Sequence, residues 1–407
     1  MQALSKEMYN IYLDYNSTTS IHEEVLDDMV PFFNTHYGNP SSTHYLGVKS
    51  DDAIKNARAC IANFIKADAE EIYFTSGGTE ANNLALMGYI EKFQHAYPIH
   101  IITSVIEHPS IKDVCEKLSK NKDPYNGVEV SYIGVDKNGL LDLQSLENNI
   151  KKNTKLISVM AVDNIIGTVQ DLEKIGRIAK KHNIVFHSDA VLAYGKIPID
   201  VKKLNIDLMS ISSHKIHGPK GIGALYIKKE IKVNSVILGG DQESGLRAGT
   251  ENVPGIVGFG KASSLAFKKL DEWIEHSSNI RKIFVSEIRK NIQNIFILSD
   301  EKYCISSTVS ILFLDVNADT IMKMLNYYGI AVSTCSLCDS HNKIFRKNVK
   351  KNIIKYPILE ELNLSSREMM GAIRFSFGIG ITERDIINTV EVLKIIITNL
   401  RQIKELN

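Results

Sequence analysis

The sequence predicts an α/β protein: a mostly parallel sheet flanked by helices, joined to a smaller α/β domain at the C-terminal end. Three observations predict it. Apolar, strand-length runs alternate with helical patterns from about Glu71 to Tyr226, the order that builds parallel βαβ units. Two of these runs lead into charged residues, Asn183–Ser188 into Asp189 and Asp207–Ser212 into Lys215, and parallel sheets bind ligands beyond the carboxyl ends of their strands. A long helical stretch, Gly255 to Lys290, then leads to a second group: the strand Ser307–Leu314, a cysteine-bearing segment, a strand around Arg374 and a final helix, Glu383–Ile403.

Each element of the first group has a local reason. Glu71–Ser76 reads as a short strand, Gly77-Gly78 as a tight turn and Thr79–Ala85 as the opening of a helix. Glycines let backbone approach an anion, and a helix N-terminus offers unpaired N–H groups. Alone, Gly-Gly-Thr is an ordinary turn; before a helix it suits a phosphate. Helical patterns also cover Asp51–Phe64, Ile111–Leu118 and Leu172–His182. After the run Ser212-Ser213-His214-Lys215-Ile216-His217, a Gly-Pro turn precedes the strand Ile222–Ile227.

Lys215 and Asp189 carry the chemistry. A lysine amine at a strand end can lose its proton and form a Schiff base with an aldehyde cofactor, while neighbouring hydroxyls and an imidazole bind phosphate. Viewed alone, the same run reads more readily as a solvated loop. A carboxylate on a nearby strand end keeps a pyridine nitrogen protonated; alone, Asp189 is as readily a helix cap. Together they suit pyridoxal 5'-phosphate.

Further stretches extend the pattern along the chain: Tyr12–Thr19, Tyr37–His44, Phe74–Glu80, Glu107-His108, Asp163–Gln170, His187–Ala190, Ser213–Tyr226, Arg247–Gly255 and Ile373–Ser376. With these, the chain resembles the NifS/IscS-type cysteine desulfurases, pyridoxal-phosphate enzymes of the class V aminotransferase group, nearly end to end. The resemblance implies a fold-type I transferase with a seven-stranded type of sheet. It divides the chain into a large cofactor-binding domain, 16–260, and a small domain formed by 1–15 with 261–407. It implies that Lys215 holds the cofactor and moves the substrate Cα proton, that Asp189 pairs with the ring nitrogen and that His108 stacks on the ring. Gly78, Thr79, Ser212 and His214 would bind the phosphate, joined across a homodimer by Thr250. Asn164 would contact ring oxygen and substrate, and Arg374 would clamp the substrate carboxylate. The substrate would be L-cysteine, converted to L-alanine, and the sulfur would leave as a persulfide on Cys338 for a protein acceptor. Iron–sulfur cluster assembly, tRNA thiolation and other sulfur pathways all fit.

Of the five cysteines, Cys60 and Cys115 fall in helical patterns and read as packing thiols, and Cys304 opens an apolar, strand-like run. Cys335 and Cys338 sit in Ala331–His341, where the family carries its catalytic loop. Cys335 takes a position usually held by glycine. The pair admits an idle or modulating Cys335, a redox pair, or half a metal site with His341 or Asp339.

The chain departs from the family pattern at Leu192, where a glutamine is usual, at Asp163-Asn164-Ile165 for Asn-Asn-Glu, and at Gly239–Gln242. These departures leave two alternatives open: a carbon–sulfur or carbon–selenium lyase acting without a protein persulfide, or a weakly active cofactor-binding scaffold. The stretch Lys343–Lys355 is basic and followed by Glu360-Glu361, a solvated segment by default and otherwise a surface for an acidic acceptor or a lid.

The whole-chain figures agree. With 407 residues, 44% apolar and 23% charged, the chain can bury a large core in two domains. Lys+Arg 48 against Asp+Glu 47 gives no bias toward nucleic acid or membrane. Residues 1–15 lack the apolar core of a secretion signal. An odd cysteine count fits a reducing compartment, so a cytoplasmic location is expected.

Overall fold

The computed structural model describes residues 8–93, 98–120, 127–335 and 368–405. Among the described residues, thirteen strands and their helices fall into two groups, the larger packed around two apolar clusters and the smaller around a third. The strands of the larger group are β2 (Ile72–Thr75), β3 (Ile99–Ser104), β4 (Val128–Ile133), β5 (Thr154–Ser158), β6 (Val185–Asp189), β7 (Leu208–Ser212) and β8 (Gly223–Ile227). They form a seven-stranded sheet in the order β2-β8-β7-β6-β5-β3-β4, parallel except where β8 runs against both neighbours. β3, β6, β7 and β8 are buried along their whole length. This is why they read as continuous apolar or small runs without alternation.

Helices cover the sheet on both faces, and their starts follow from side-chain caps. Asp171 accepts the amide of Lys174 to open Leu172–Lys181, and Asn252 accepts that of Gly255 to open Val253–Asn291. The latter helix has 39 residues, about 58 Å at the α-helical rise. Its first half packs with the large sheet's core through Ile256, Phe259 and Leu265. Its second half packs with the other core through Ile280, Phe284 and Ile288.

That second core gathers β10 (Thr308–Phe313), flanked in an antiparallel sheet by β9 (Ile295–Ile297) and β13 (Ala372–Ser376), with β12 (Ser333–Thr334) beyond β13. The helix Glu383–Glu405 closes it. Ile11 and Leu13 belong to the same cluster, because β1 (Ile11–Tyr12) pairs in parallel with β11 (Ile330–Ala331). One expectation shifts: Cys304 lies in a turn and makes only an isolated bridge to Thr168, and the strand begins at Thr308.

Candidate active site

The phosphate end of the site lies where β2 and β7 stop. β2 passes through Gly77 into a helix that starts at Gly78. A Cβ on Gly78 would fall 2.5 Å from Val191 Cγ2, so only glycine lets the helix start sit against the turn after β6. A Cβ on Gly223 would fall 2.7 Å from the Gly77 backbone, which keeps β8 tight to the same turn. Together they leave a cavity of about 370 Å³ lined by Thr18, Gly78, Thr79, Ser212, His214 and Lys220, among others. Ser212 Oγ is buried with no partner among the described residues, a costly state unless a ligand meets it. His214 Nδ1 lies 3.1 Å from Thr18 Oγ1. Burial, with Lys215 and Lys220 nearby, pushes its pKa down to about 4, so it is a neutral hydrogen-bonding imidazole. This donor set suits the phosphate of the aldehyde cofactor that the resemblance implies.

The cradle is braced from behind. Arg247 Nε donates to Glu80 Oε1 at 2.9 Å, and the Ser76 amide donates to Glu80 Oε2 at 2.9 Å. Arg58 makes a two-pronged pair with Glu243 at 2.7 and 2.8 Å, and the Phe74 amide donates to the same carboxylate. These bonds fix the loop that carries Thr250, which is exposed and does not line the cavity of its own chain.

At the ring end a continuous network joins Asp189 to His108. Asp189 Oδ1 accepts the Val191 amide at 3.0 Å, and Oδ2 accepts Asn82 Nδ2 at 2.7 Å. Asn82 Nδ2 also donates to Ser110 Oγ at 2.8 Å, which lies 2.8 Å from His108 Nδ1. Asn82 and Ser110 are both buried and escaped the reading of the sequence. Their signal was one helical turn after Gly-Gly-Thr and two residues after Glu-His. Leu192 is buried in the main core, which explains how an apolar residue is accommodated there.

The segment Asp14–Thr19 ties the remaining residues together. The Asn16 and Ser17 carbonyls accept hydrogen bonds from Lys215 Nζ, the latter at 2.8 Å. Arg374, on β13 and buried, donates to Asp14 Oδ1 at 2.7 Å, Ser17 Oγ at 2.9 Å and the Asn164 carbonyl at 2.8 Å. Thr19 donates through both its amide and its hydroxyl to the His214 carbonyl. Asp14 is a further residue that the reading missed, although its segment was singled out.

Cys338 and the basic stretch of the 341–367 segment lie outside the described residues. Cys335 is buried at the end of β12, its amide bonded to the Ala372 carbonyl and its sulfur 4.0 Å from Ser310 Oγ. Among the described residues no group of three or more His, Cys, Asp or Glu could hold a metal. None of the described helices is long and apolar enough to cross a membrane.

Four histidines are held neutral by burial: His187 down to about 3, and His100, His214 and His217 to about 4. Their ordinary value is 6.5, so between 6.5 and 4 the unfolded chain binds more protons than the folded one. Stability therefore falls as pH drops through this window. The melting temperature is expected to decline steadily from pH 6.5 to 5, above the range where most carboxylates titrate. A flat profile there, measured by circular dichroism, contradicts it.

This arrangement, a seven-stranded, mostly parallel sheet with a lysine and a carboxylate on neighbouring strand ends, defines a class. The chain belongs to the class-V aminotransferase family, whose sequence profile matches residues 11–388. Within that family it stands with the NifS/IscS-type cysteine desulfurases. It is 39% identical over 393 residues to the cysteine desulfurase IscS of Dictyoglomus turgidum (strain DSM 6724 / Z-1310), covering 97% of this chain and 96% of that one. Among solved structures, a NifS-like protein superposes with a TM-score of 0.86 at 34% identity, covering 96% of this chain and 100% of that one. SspA in complex with cysteine superposes with a TM-score of 0.76 at 33% identity, covering 90% and 99%.

Proposed function

We propose that this protein is a pyridoxal-phosphate-dependent cysteine desulfurase, converting L-cysteine to L-alanine and passing sulfur through Cys338 to an acceptor protein. The observation that carries the reading is the convergence on Asp14–Thr19. This one segment holds Lys215, Arg374 and His214 together, at the strand ends where Asp189 and the phosphate cradle lie. Similarity to a protein solved with cysteine supports the choice of substrate.

When bound, pyridoxal phosphate supplies an electron sink that weakens the bonds at the Cα and Cβ of cysteine. Lys215 would anchor it through Nζ and carry the proton taken from the substrate Cα. Asp189, oriented by Asn82 and Val191, would keep the ring nitrogen protonated. His108 would stack on the ring, Asn164 would contact ring oxygen and substrate, and Gly78, Thr79, Ser212 and His214 would hold the phosphate. Arg374 receives the substrate carboxylate. The Cys338 thiolate attacks the substrate sulfur; the carbon–sulfur bond breaks, leaving a persulfide on Cys338 and alanine. The large unit is 16–260, and the small unit is 1–15 with 261–407. In a homodimer, Thr250 reaches the partner's cradle.

Cys338→Ser is expected to abolish alanine formation from cysteine, with and without a thiol reductant, and to remove the +32 Da adduct on the peptide containing residue 338 (about one sulfur atom,). Undiminished sulfur release by that variant would establish the lyase reading instead.

A further inference from the structure

The phosphate cradle has a charged rim. Lys220 lines the same cavity as Thr18, Thr79, Ser212 and His214, although it is itself exposed. Its position is set by the backbone, which folds back between β7 and β8. The Gly218 amide donates to the Ser213 carbonyl at 3.2 Å, and the Ser213 amide donates to the Ile222 carbonyl at 3.2 Å. The His217 amide donates to Thr19 Oγ1 at 2.8 Å, which ties the turn to the Asp14–Thr19 segment. Pro219 is buried against the long helix, where a Cβ on Gly258 would fall 3.0 Å from Pro219 Cδ. Gly221 then takes a φ of +79° and leads into β8. The turn is pinned on both sides, so the Lys220 backbone is fixed at the rim and only its side chain swings.

The other cradle groups bind a phosphate without offsetting its charge. The helix start at Gly78, the Thr79 and Ser212 hydroxyls and the His214 imidazole are neutral donors; burial, with Lys215 and Lys220 nearby, keeps His214 uncharged. Glu80 also lines the cavity, but its carboxylate is taken up by Arg247 and the Ser76 amide. A phosphate monoester carries about −1.5 to −2 charges at neutral pH. A bond from an ammonium to such a group is about twice as strong as one from a neutral donor.

We propose that Lys220 is a counter-ion of the cofactor phosphate: its ammonium closes the cradle from the open side and selects pyridoxal phosphate over unphosphorylated pyridoxal. The inference rests on the cradle holding that phosphate, as in the function proposed above.

The test uses full-length protein freed of bound cofactor, titrated calorimetrically with pyridoxal phosphate, pyridoxal and inorganic phosphate. Lys220→Met keeps most of the side chain's length and removes its charge. It is expected to weaken pyridoxal phosphate and inorganic phosphate by about tenfold each. Pyridoxal, which keeps the aldehyde and the ring, should bind the variant and wild type alike. The tenfold gap should largely close in about 1 M sodium chloride, and Lys220→Arg should restore wild-type affinity. Unchanged affinity for pyridoxal phosphate in the methionine variant overturns the proposal. An equal loss for pyridoxal does so too, since Lys220 would then only prop the turn. Should the methionine variant not fold, Lys220→Gln is read in the same way. A wild type that binds inorganic phosphate but not pyridoxal phosphate refutes the cofactor reading, and the inorganic-phosphate titrations then decide Lys220 by themselves. A wild type that binds neither refutes both.

Discussion

Replacing Lys215 with alanine is expected to remove the absorbance near about 420 nm that pyridoxal phosphate acquires when joined to a lysine, and to cut alanine formation by about a thousandfold or more. Two proposed roles would be lost at once, the covalent anchor and the group that moves the Cα proton. The fold should survive. Lys215 Nζ bonds to the Asn16 and Ser17 carbonyls, and leaving two carbonyls without that donor costs about 1–3 kcal/mol. The phosphate cradle and Asp189 are untouched, so the variant should still take up the cofactor weakly and release it on desalting. Spectra before and after desalting, with a melting curve, check this. A variant that keeps the band through desalting, or a wild-type protein that stays colourless with added cofactor, defeats the reading.

Much of this site was legible in the sequence because its residues sit at the ends of strands that read unambiguously. β6 and β7 are continuous buried runs, so Asp189 and Lys215 were placed by the elements before them. The helix starts were equally legible, since Asp171 and Asn252 stand just before apolar, periodic stretches. What the sequence concealed are residues that act by meeting distant partners. Asn82 lies 107 positions from Asp189, and Asp14 lies 360 from Arg374; no local pattern distinguishes these polar residues from ordinary caps or turns. The same holds for Lys196, whose sequence neighbours Gly195 and Ile197 suggest only a loop, and whose hydrogen-bond partner Asn16 lies 180 positions away. Arg374 sits among apolar neighbours in sequence, where a cation is too costly to bury alone, but no local pattern tells that a carboxylate of the chain, Asp14, already faces it.

That pairing determines the second large effect. In Arg374→Ala the Asp14 carboxylate loses its guanidinium in a site where the arginine side chain is 3% exposed and the aspartate 20%. Removing one partner of such a pair costs about 3 kcal/mol, so the melting temperature should drop by several degrees. Independently, in its proposed role, Arg374 would no longer give the substrate carboxylate a two-pronged donor, and KM for cysteine should rise about a hundredfold. Stability and binding separate in Arg374→Lys. An ammonium still neutralises Asp14, so most of the lost stability returns, but a point charge cannot present the planar fork that orients a carboxylate. KM should therefore stay raised by at least about tenfold, with the melting curve close to wild type. In Asp14→Asn the arginine keeps its fork but loses its internal counter-charge, so cysteine should bind at least as tightly as in wild type. Were both Arg374 variants to keep a wild-type KM, the guanidinium would serve only to fasten β13 to the Asp14–Thr19 segment, and the substrate carboxylate would have to be held elsewhere.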